Sequence, residues 1–297
     1  MKKSSPTTET RNSETMSIDR MTVREQVEAF SREDSKIIEA IMKVSHSIER
    51  AIEKVVEGFK QGGRLIYIGA GTSGRLGVLD ASECPPTFGV DSSMVTALIA
   101  GGNDAIISAA EGAEDNEKAG EDDLRRINFD KKDVLVGITA SGTTPYVRGA
   151  CRYARTLNAI TVLLTCNPEG DFPETDILIN PVTGPEVITG STRLKAGTAT
   201  KMVLNMISSI SMIRIGKVYG NLMVDVKATN KKLRQRAKKI LMDGGKIDEN
   251  KAVELLEKTG GDLKTAIFIA KSGGTKENAQ KKILHSEGFL YKALNEE

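Results

Sequence analysis

Hydroxyl side chains cluster at three places where the sequence predicts that a helix begins. The clusters are Thr72 and Ser73, then Ser141, Thr143 and Thr144 around Gly142, and finally Ser191 and Thr192 after Gly190. Helix N-termini supply free N–H groups and a positive dipole end, and hydroxyl groups add further donors. Serine and threonine also commonly cap helices. Three clusters at one edge of a sheet nevertheless favour a binding site for one phosphate monoester on a small polar molecule.

The first cluster lies in a glycine-rich loop. Gly69, Gly71 and Gly74 match the spacing G-x-G-x-x-G, directly after an apolar run and before a helical stretch. A dinucleotide site also needs an acidic residue about 20 residues further on, at the end of the second strand, to hold the ribose. Asp91 has that spacing but precedes the second strand. The fingerprint is therefore incomplete, and a dinucleotide enzyme is the least favoured interpretation.

Five short apolar runs alternate with stretches that are mostly long enough for a helix. The runs are Arg64–Ile68, Val95–Ala100, Val134–Thr139, Ile160–Thr165 and Ile177–Ile179. Alternating strands and helices form βαβ units and a parallel sheet. Runs that are apolar on both alternations are typical of strands covered on both faces. The sequence therefore predicts an α/β fold with a doubly wound, five-stranded parallel sheet of flavodoxin-like size, whose strands end at one crevice.

Helical patterns flank the predicted sheet. Apolar residues at three- and four-residue spacing predict helix from Thr22 to Phe59, and Gly62-Gly63 ends it. The stretch from Thr192 to about Lys227 predicts one long helix. Pro85-Pro86 are expected to end the first crossover helix, because proline cannot continue its hydrogen-bond ladder.

We expect three segments along the chain. Residues 1–20 form a polar arm, residues 21–242 form the core domain with its N-terminal helices, and residues 243–297 form a small helical subdomain. Asp243-Gly244-Gly245 marks the second boundary. Two further glycine pairs divide the last segment into three short helices.

The composition predicts a cytoplasmic globular protein that binds neither nucleic acid nor membrane. Its 297 residues carry 42 Lys and Arg against 40 Asp and Glu, a formal net charge of +2. This balance gives no support for a nucleic-acid footprint or a polybasic anchor. No signal peptide and no membrane-spanning stretch is expected. Cys84, Cys151 and Cys166 lack the spacing of a metal site, which predicts reduced thiols and no metal.

Two long motifs carry a resemblance to a known family, and they are too extended to match it by chance. They run from Gly69 to Gly89 and from Gly184 to Thr198, and shorter ones lie at Thr8–Asn12 and Ile18–Arg20. Together they resemble the family of bacterial N-acetylmuramic acid 6-phosphate etherases over essentially the whole chain. The resemblance implies a sugar isomerase (SIS) domain, similar to that of the vertebrate glucokinase regulatory protein. It also implies a homodimer, a sugar-phosphate substrate, and neither a metal nor a nucleotide cofactor.

The resemblance implies cleavage of the D-lactyl ether of N-acetylmuramic acid 6-phosphate to N-acetylglucosamine 6-phosphate and D-lactate. By motif, the family's two catalytic carboxylates fall on Glu83 and Glu114. Two carboxylates can divide acid and base roles if their environments separate their pKa values. We assign Glu83 as the acid toward the leaving lactate and Glu114 as the base at C2, with the reverse division still open. Glu186, in the second motif, either contacts the sugar or caps its loop.

Two other functions would use the same features. An aldose–ketose sugar-phosphate isomerase would share the phosphate loops and the C2 proton abstraction, but it needs no acid for lactate, so Glu83 argues against it. A non-catalytic sugar-phosphate sensor that binds a partner protein would tolerate loss of both carboxylates, and both are present.

Overall fold

The computed structural model describes residues 7–108, 110–168, 173–226 and 231–295. The first six residues of the predicted arm, the last two of the predicted subdomain, and Lys227 at the expected end of the long helix lie outside the described residues.

Five parallel strands form the central sheet. They are β1 Leu65–Gly69, β2 Val95–Ile99, β3 Val134–Ile138, β4 Ile160–Leu164 and β5 Ile177–Ile179. Their order is β2-β1-β3-β4-β5, the doubly wound order of flavodoxin-like folds. Every residue of β1 and β3 is buried, as expected for strands covered on both faces. The predicted fold class is confirmed, and each predicted run matches its strand to within one residue.

Pairing in the sheet brings the strand ends to one level. Gly69, the last residue of β1, pairs with Ile99 on one side and with Ile138 on the other. Ile138 in turn pairs with Leu164. Because these are the last residues of their strands, the four loops that follow begin at the same edge.

Helices, short 3₁₀ turns and one hairpin are the other regular elements of the described chain. The helices are α1 Val23–Asp34, α2 Lys36–Met42, α3 Ser45–Lys60, α4 Gly71–Phe88, α5 Asp104–Ile107, α6 Glu117–Arg126, α7 Pro145–Thr156, α8 Lys195–Arg214, α9 Lys231–Gly245, α10 Glu249–Thr259, α11 Leu263–Ser272, α12 Lys276–His285 and α13 Leu290–Ala293. Single 3₁₀ turns lie at Thr7–Glu9, Ser13–Thr15, Ile18–Arg20 and Ala113–Asp115. A short hairpin joins β6 Val218–Tyr219 to β7 Leu222–Met223.

Three helix boundaries differ from the predictions. The stretch from Thr22 to Phe59 is divided into α1, α2 and α3. The sequence pattern did not show the two short breaks, because the apolar periodicity continues across them. The predicted long helix ends at Arg214, where Gly216 takes φ +77° and the chain turns into the hairpin. α4 continues through Pro85-Pro86 to Phe88, and the N–H of Gly89 still donates to the Pro85 carbonyl over 3.0 Å.

The C-terminal region also differs in detail. Asp243-Gly244-Gly245 form the last residues of α9 rather than a break before a helix, and the chain turns at Lys246 with φ +53°. In the described chain four helices follow instead of three, since the short α13 is preceded by the single Gly288, with φ +83°, and not by a glycine pair. The segment boundaries at residues 20 and 242 stay predictions.

Contacts between residues divide the chain into two compact units. The first contains Met1–Ser82 with Ser93–Ser208, and the second contains Glu83–Ser92 with Ser209–Glu297. In the first unit, Ile66, Leu135 and Leu163 of the sheet pack with Tyr146 and Val147 of α7. In the second unit, the core consists mainly of residues from α9 to α13. Among the described residues, no helix is both long and apolar enough to cross a membrane.

Candidate functional site

The junction between β1 and α4 leaves almost no space between strand and helix. A methyl group at Gly74 would lie 2.6 Å from Cγ1 of Ile99 and 2.7 Å from the carbonyl oxygen of Gly69. Gly71 has φ +52°, in the left-handed region that favours glycine. Close packing and a tight turn therefore explain the glycine spacing without a dinucleotide.

Thr72 and Ser73 lie in the first turn of α4, half-buried. Among the described residues, neither hydroxyl has a hydrogen-bond partner. The Thr72 methyl lies 3.7 Å from where a methyl group at Gly197 of α8 would be. The first hydroxyl cluster is therefore next to the helix that follows the third.

The second cluster, between β3 and α7, forms two hydroxyl pairs. The Oγ1 atoms of Thr139 and Thr144 lie 2.7 Å apart, and Oγ of Ser141 lies 2.9 Å from Oγ1 of Thr143. α7 begins with Pro145, and no side chain caps its first amides. These hydroxyls and the positive end of α7 can therefore act together on an anion.

The third cluster precedes α8, whose amino end is already occupied. Both carboxylate oxygens of Glu186 accept hydrogen bonds, from the N–H of Lys195 and from the N–H of Ala196, each over 2.9 Å. Glu186 is fully buried, and burial raises the pKa of its carboxyl despite these bonds. Of the two roles open for Glu186, the structure shows the cap, and contact with a sugar stays a prediction.

A buried ion pair fixes the same turn. The ammonium of Lys195 contacts the Glu33 carboxylate of α1, and their side chains are only 1% and 3% exposed. Glu33 also accepts a hydrogen bond of 2.5 Å from Lys36. Burial opposes ionisation of Glu33, but the two lysines outweigh it and hold the pKa of Glu33 below its ordinary value. No local signal in the sequence identifies this pair, because its members are 162 residues apart.

Residues 7–20 of the predicted polar arm contact the loop that carries the third cluster. The N–H of Gly190 donates to the carbonyl of Thr8 over 3.3 Å, and the Thr15 hydroxyl donates to the Val187 carbonyl over 2.9 Å. Thr8 and Thr15 are buried. The arm thus holds the segment that ends at Ser191.

The loop after β4 connects the second cluster to α8. Asn167 donates through Nδ2 to the Ser141 carbonyl over 2.9 Å, and the N–H of Cys166 donates to the Ala140 carbonyl over 3.2 Å. The Cys166 thiol lies 3.6 Å from the Ala196 carbonyl of α8. The structure therefore brings the three hydroxyl clusters to one edge. Sequence reasoning missed Asn167, although its place at the end of a strand is the signal that could have found it.

Glu83 and Glu114 are both exposed. Among the described residues, no hydrogen bond or ion pair engages either carboxylate. Glu114 lies in the 3₁₀ turn that follows β2, in the first unit, whereas Glu83 lies on α4 at the point where the second unit begins. Their pairing stays a prediction.

Asp80 is a buried carboxylate that sequence reasoning missed. It accepts hydrogen bonds from Tyr67 over 2.9 Å, from Asn205 over 2.6 Å and from Ser208 over 3.1 Å. These bonds join β1, α4 and α8, so Asp80 fixes two of the helices that begin at the candidate site.

The cysteines are buried and unlinked. Burial raises the pKa of the Cys151 and Cys166 thiols to about 12, so neither is suited to act as a thiolate nucleophile. Within the described ranges, no group of three or more His, Cys, Asp or Glu side chains could hold a metal ion.

Comparisons with known proteins found a similar family model and similar structures. The family model of the glucokinase regulatory protein N-terminal SIS domain matches residues 47–155. A phosphoheptose isomerase structure from Neisseria gonorrhoeae is 19% identical and covers 64% of this chain and 99% of its own, with a TM-score of 0.48. The parallel sheet defines an α/β domain, and residues 47–155 of this domain match the SIS-domain model.

Curated relatives match nearly the whole chain. N-acetylmuramic acid 6-phosphate etherase 2 of Vibrio cholerae is 53% identical over 97% of this chain and 94% of its own length. N-acetylmuramic acid 6-phosphate etherase of Clostridium botulinum strain Loch Maree is 51% identical over 97% and 96%. The chain belongs to the N-acetylmuramic acid 6-phosphate etherase family.

Proposed function

We propose that this protein cleaves the D-lactyl ether of N-acetylmuramic acid 6-phosphate, giving N-acetylglucosamine 6-phosphate and D-lactate in amino-sugar catabolism. The observation that carries the proposal is the similarity over 97% of the chain to proteins named for this activity. It favours an etherase over an isomerase or a non-catalytic sensor.

The reaction needs a base, an acid and a hold on the phosphate. An ether is hard to break because an alkoxide is a poor leaving group. Opening the sugar ring exposes the C1 aldehyde and makes the C2 proton acidic. A base removes that proton, an acid protonates the C3 ether oxygen as lactate leaves, and water adds to the unsaturated aldehyde. Each proton transfer typically contributes about 10²–10⁴-fold to the rate.

We assign the C2 base to Glu114 and the acid to Glu83. Both carboxylates are exposed and unpaired among the described residues, so neither must give up a structural contact to bind substrate. Glu114 lies in the 3₁₀ turn Ala113–Asp115, and Cβ of its neighbour Ala113 lies 3.5 Å from where a methyl group at Gly101, just after β2, would be, which supports a place near the end of that strand.

The phosphate is held by the first two clusters. The hydroxyls of Thr72 and Ser73 have no partner in the described chain, and Ser141, Thr143 and Thr144 precede an uncapped helix. Ser191 contributes at the margin of the same site, because Glu186 already neutralises the amino end of α8.

The enzyme is a cytoplasmic homodimer in this proposal. Apolar side chains on α1 and α2 support an interface between copies, since Val23 is 77% exposed, Val27 59% and Met42 64%. Free cysteines support a reducing compartment. Light scattering on the eluting protein measures the mass, and a monomer would contradict the dimer.

Proton NMR in deuterated water tests the reaction. The wild-type protein is expected to release lactate from N-acetylmuramic acid 6-phosphate and to leave deuterium at C2. Glu83→Gln and Glu114→Gln should each lose about 10²–10⁴-fold in rate, whereas Glu111→Gln, an exposed neighbour, serves as the control. C2 exchange without lactate release in Glu83→Gln supports the assigned roles, and the reverse pattern exchanges them. Binding without lactate release by the wild type would overturn the etherase function.

A further inference from the structure

A cavity of about 520 Å³ lies among α11, α12 and α13 in the second unit. Four basic side chains line it: Lys281, Lys282 and His285 of α12 and Lys292 of α13. Asn278 and Asn295 add amide groups. Its volume is within the range of about 300–1,000 Å³ that is usual for small-molecule sites.

The positive charge of this cavity is not balanced by the described residues. No carboxylate is among the described residues that line it, and within the described chain none of its three lysines forms an ion pair. Other lysines of the second unit do, such as Lys238 with Glu249 and Lys251 with Glu254. Like charges that converge without a counter-charge attract anions.

Aromatic contacts and one hydrogen bond hold the basic groups in place. The Lys282 ammonium lies 5.7 Å from the centre of the Phe268 ring, and that of Lys292 lies 4.5 Å from the centre of the Phe289 ring. Nδ1 of His285 lies 2.8 Å from the Lys281 carbonyl. When Nδ1–H of the neutral ring donates there, Nε2 is left to accept a hydrogen bond from a ligand hydroxyl.

We propose that this cavity is an anion site that binds a small phosphorylated molecule bearing hydroxyl groups. Lysines bind phosphate as point charges, and the two amides can bond to hydroxyls. A nucleic acid fits less well, because Phe268 is only 3% exposed and offers no face for a base to stack on. None of the lining residues belongs to the unit that carries the hydroxyl clusters, and the proposal does not depend on the etherase function.

Calorimetric titration of the full chain with N-acetylglucosamine 6-phosphate, near 0.15 M salt, tests the proposal. The wild type should bind two equivalents. The triple variant Lys281→Gln, Lys282→Gln and Lys292→Gln should lose one of them, with affinity falling at least about tenfold, or 1.4 kcal/mol. The control is Lys43→Gln, Lys238→Gln and Lys251→Gln, which removes the same charge from ion-paired lysines. Ser141→Ala should weaken only the other equivalent.

Three outcomes would overturn the proposal. The wild type could bind a single equivalent that the triple variant retains, or the triple variant could bind both equivalents as the control does, which would mean a diffuse charge effect only. Glu296 and Glu297 follow Asn295 in sequence and lie outside the described residues. If a second equivalent binds only after Glu296→Gln and Glu297→Gln, the anion of this cavity is the pair of carboxylates at Glu296 and Glu297. Lactate release by the wild type is measured separately, so failure of this site and failure of the etherase function are distinguishable.

Discussion

The amino ends of α7 and α8 both follow hydroxyl-bearing loops, yet they are occupied differently. At α7, hydroxyls bond to one another and no side chain caps the helix. At α8, the Glu186 carboxylate takes two backbone amides, and the ion pair of Lys195 with Glu33 fixes the same turn. The first junction is open to an external anion, whereas the second contains an internal one. Changes at α7 should therefore affect substrate binding, and changes at α8 should affect stability.

The largest effect is expected from the buried ion pair. Lys195→Met leaves the Glu33 carboxylate buried with only Lys36 beside it, and should lower the free energy of unfolding by about 3–5 kcal/mol. Urea denaturation followed by circular dichroism measures it. Lys201→Met changes an exposed lysine on the same helix and is the control. A loss of less than about 1 kcal/mol in the free energy of unfolding would mean that this pair contributes no more than a surface ion pair. It would contradict the proposed difference between the amino ends of α7 and α8.

Removing the internal anion should have the next largest effect. Glu186→Ala leaves two buried N–H groups without acceptors and should lower the free energy of unfolding by about 2–3 kcal/mol. The vacated helix end should then bind an external anion, so inorganic phosphate should raise the Tm of this variant more than that of the wild type. Glu186→Gln, which keeps one acceptor oxygen, should lie between them. Equal shifts by phosphate in all three proteins would contradict the comparison.

Substrate binding should depend more on the loop before α7 than on the loop before α8, the opposite of the order expected for stability. Ser141→Ala should raise the KM for N-acetylmuramic acid 6-phosphate about tenfold, or 1.4 kcal/mol, and change the free energy of unfolding by less than about 0.5 kcal/mol. Ser191→Ala should raise KM less than about threefold, because the helix beside it is already neutralised. Steady-state kinetics and urea denaturation on both variants measure this. A larger KM effect at Ser191 would reverse the comparison.

The smallest expected effect is on how the free energy of unfolding depends on pH at Glu33. The pKa of Glu33 is below its ordinary value in the folded protein, because the two lysines outweigh burial. The unfolded chain therefore takes up the proton first as pH falls, and stability that is present at neutral pH is lost below about pH 4.5. Glu33→Gln should be less stable at pH 7 and should lose less on acidification. Urea midpoints at several pH values measure the slope, and parallel slopes would contradict the role of Glu33.

Local patterns predicted the sheet but not all of the helix ends. The five strands are short and apolar on both faces, so each run is bounded by a clear change in composition. α4 passes through Pro85-Pro86, and α8 ends where Gly216 adopts φ +77°. In both places the backbone geometry that decides the boundary depends on surrounding packing, which no local pattern contains.

The hydroxyl clusters of the candidate site could be predicted from the sequence. The residues that hold their loops in place could not. Thr72, Ser141 and Ser191 were found because each lies where a helix was expected to begin. The Glu33 partner of Lys195 and the arm residue Thr15 lie far away in sequence, so only folding brings them to the loop. Whether Glu83 works with Glu114 is still a prediction, because it rests on the family motifs.

The contact between Gly69 and Gly74 determines which sequences this loop can accept. A methyl group at either position would lie within 2.8 Å of backbone atoms of the other, so even alanine would push α4 away from β1. Gly71 has open space around its missing side chain, and its left-handed backbone tolerates asparagine or aspartate best among the alternatives. A library randomised at the three positions and selected for folded protein should return glycine alone at 69 and 74, with polar variants surviving at 71. The two glycines at 69 and 74 keep the short distance between β1 and α4.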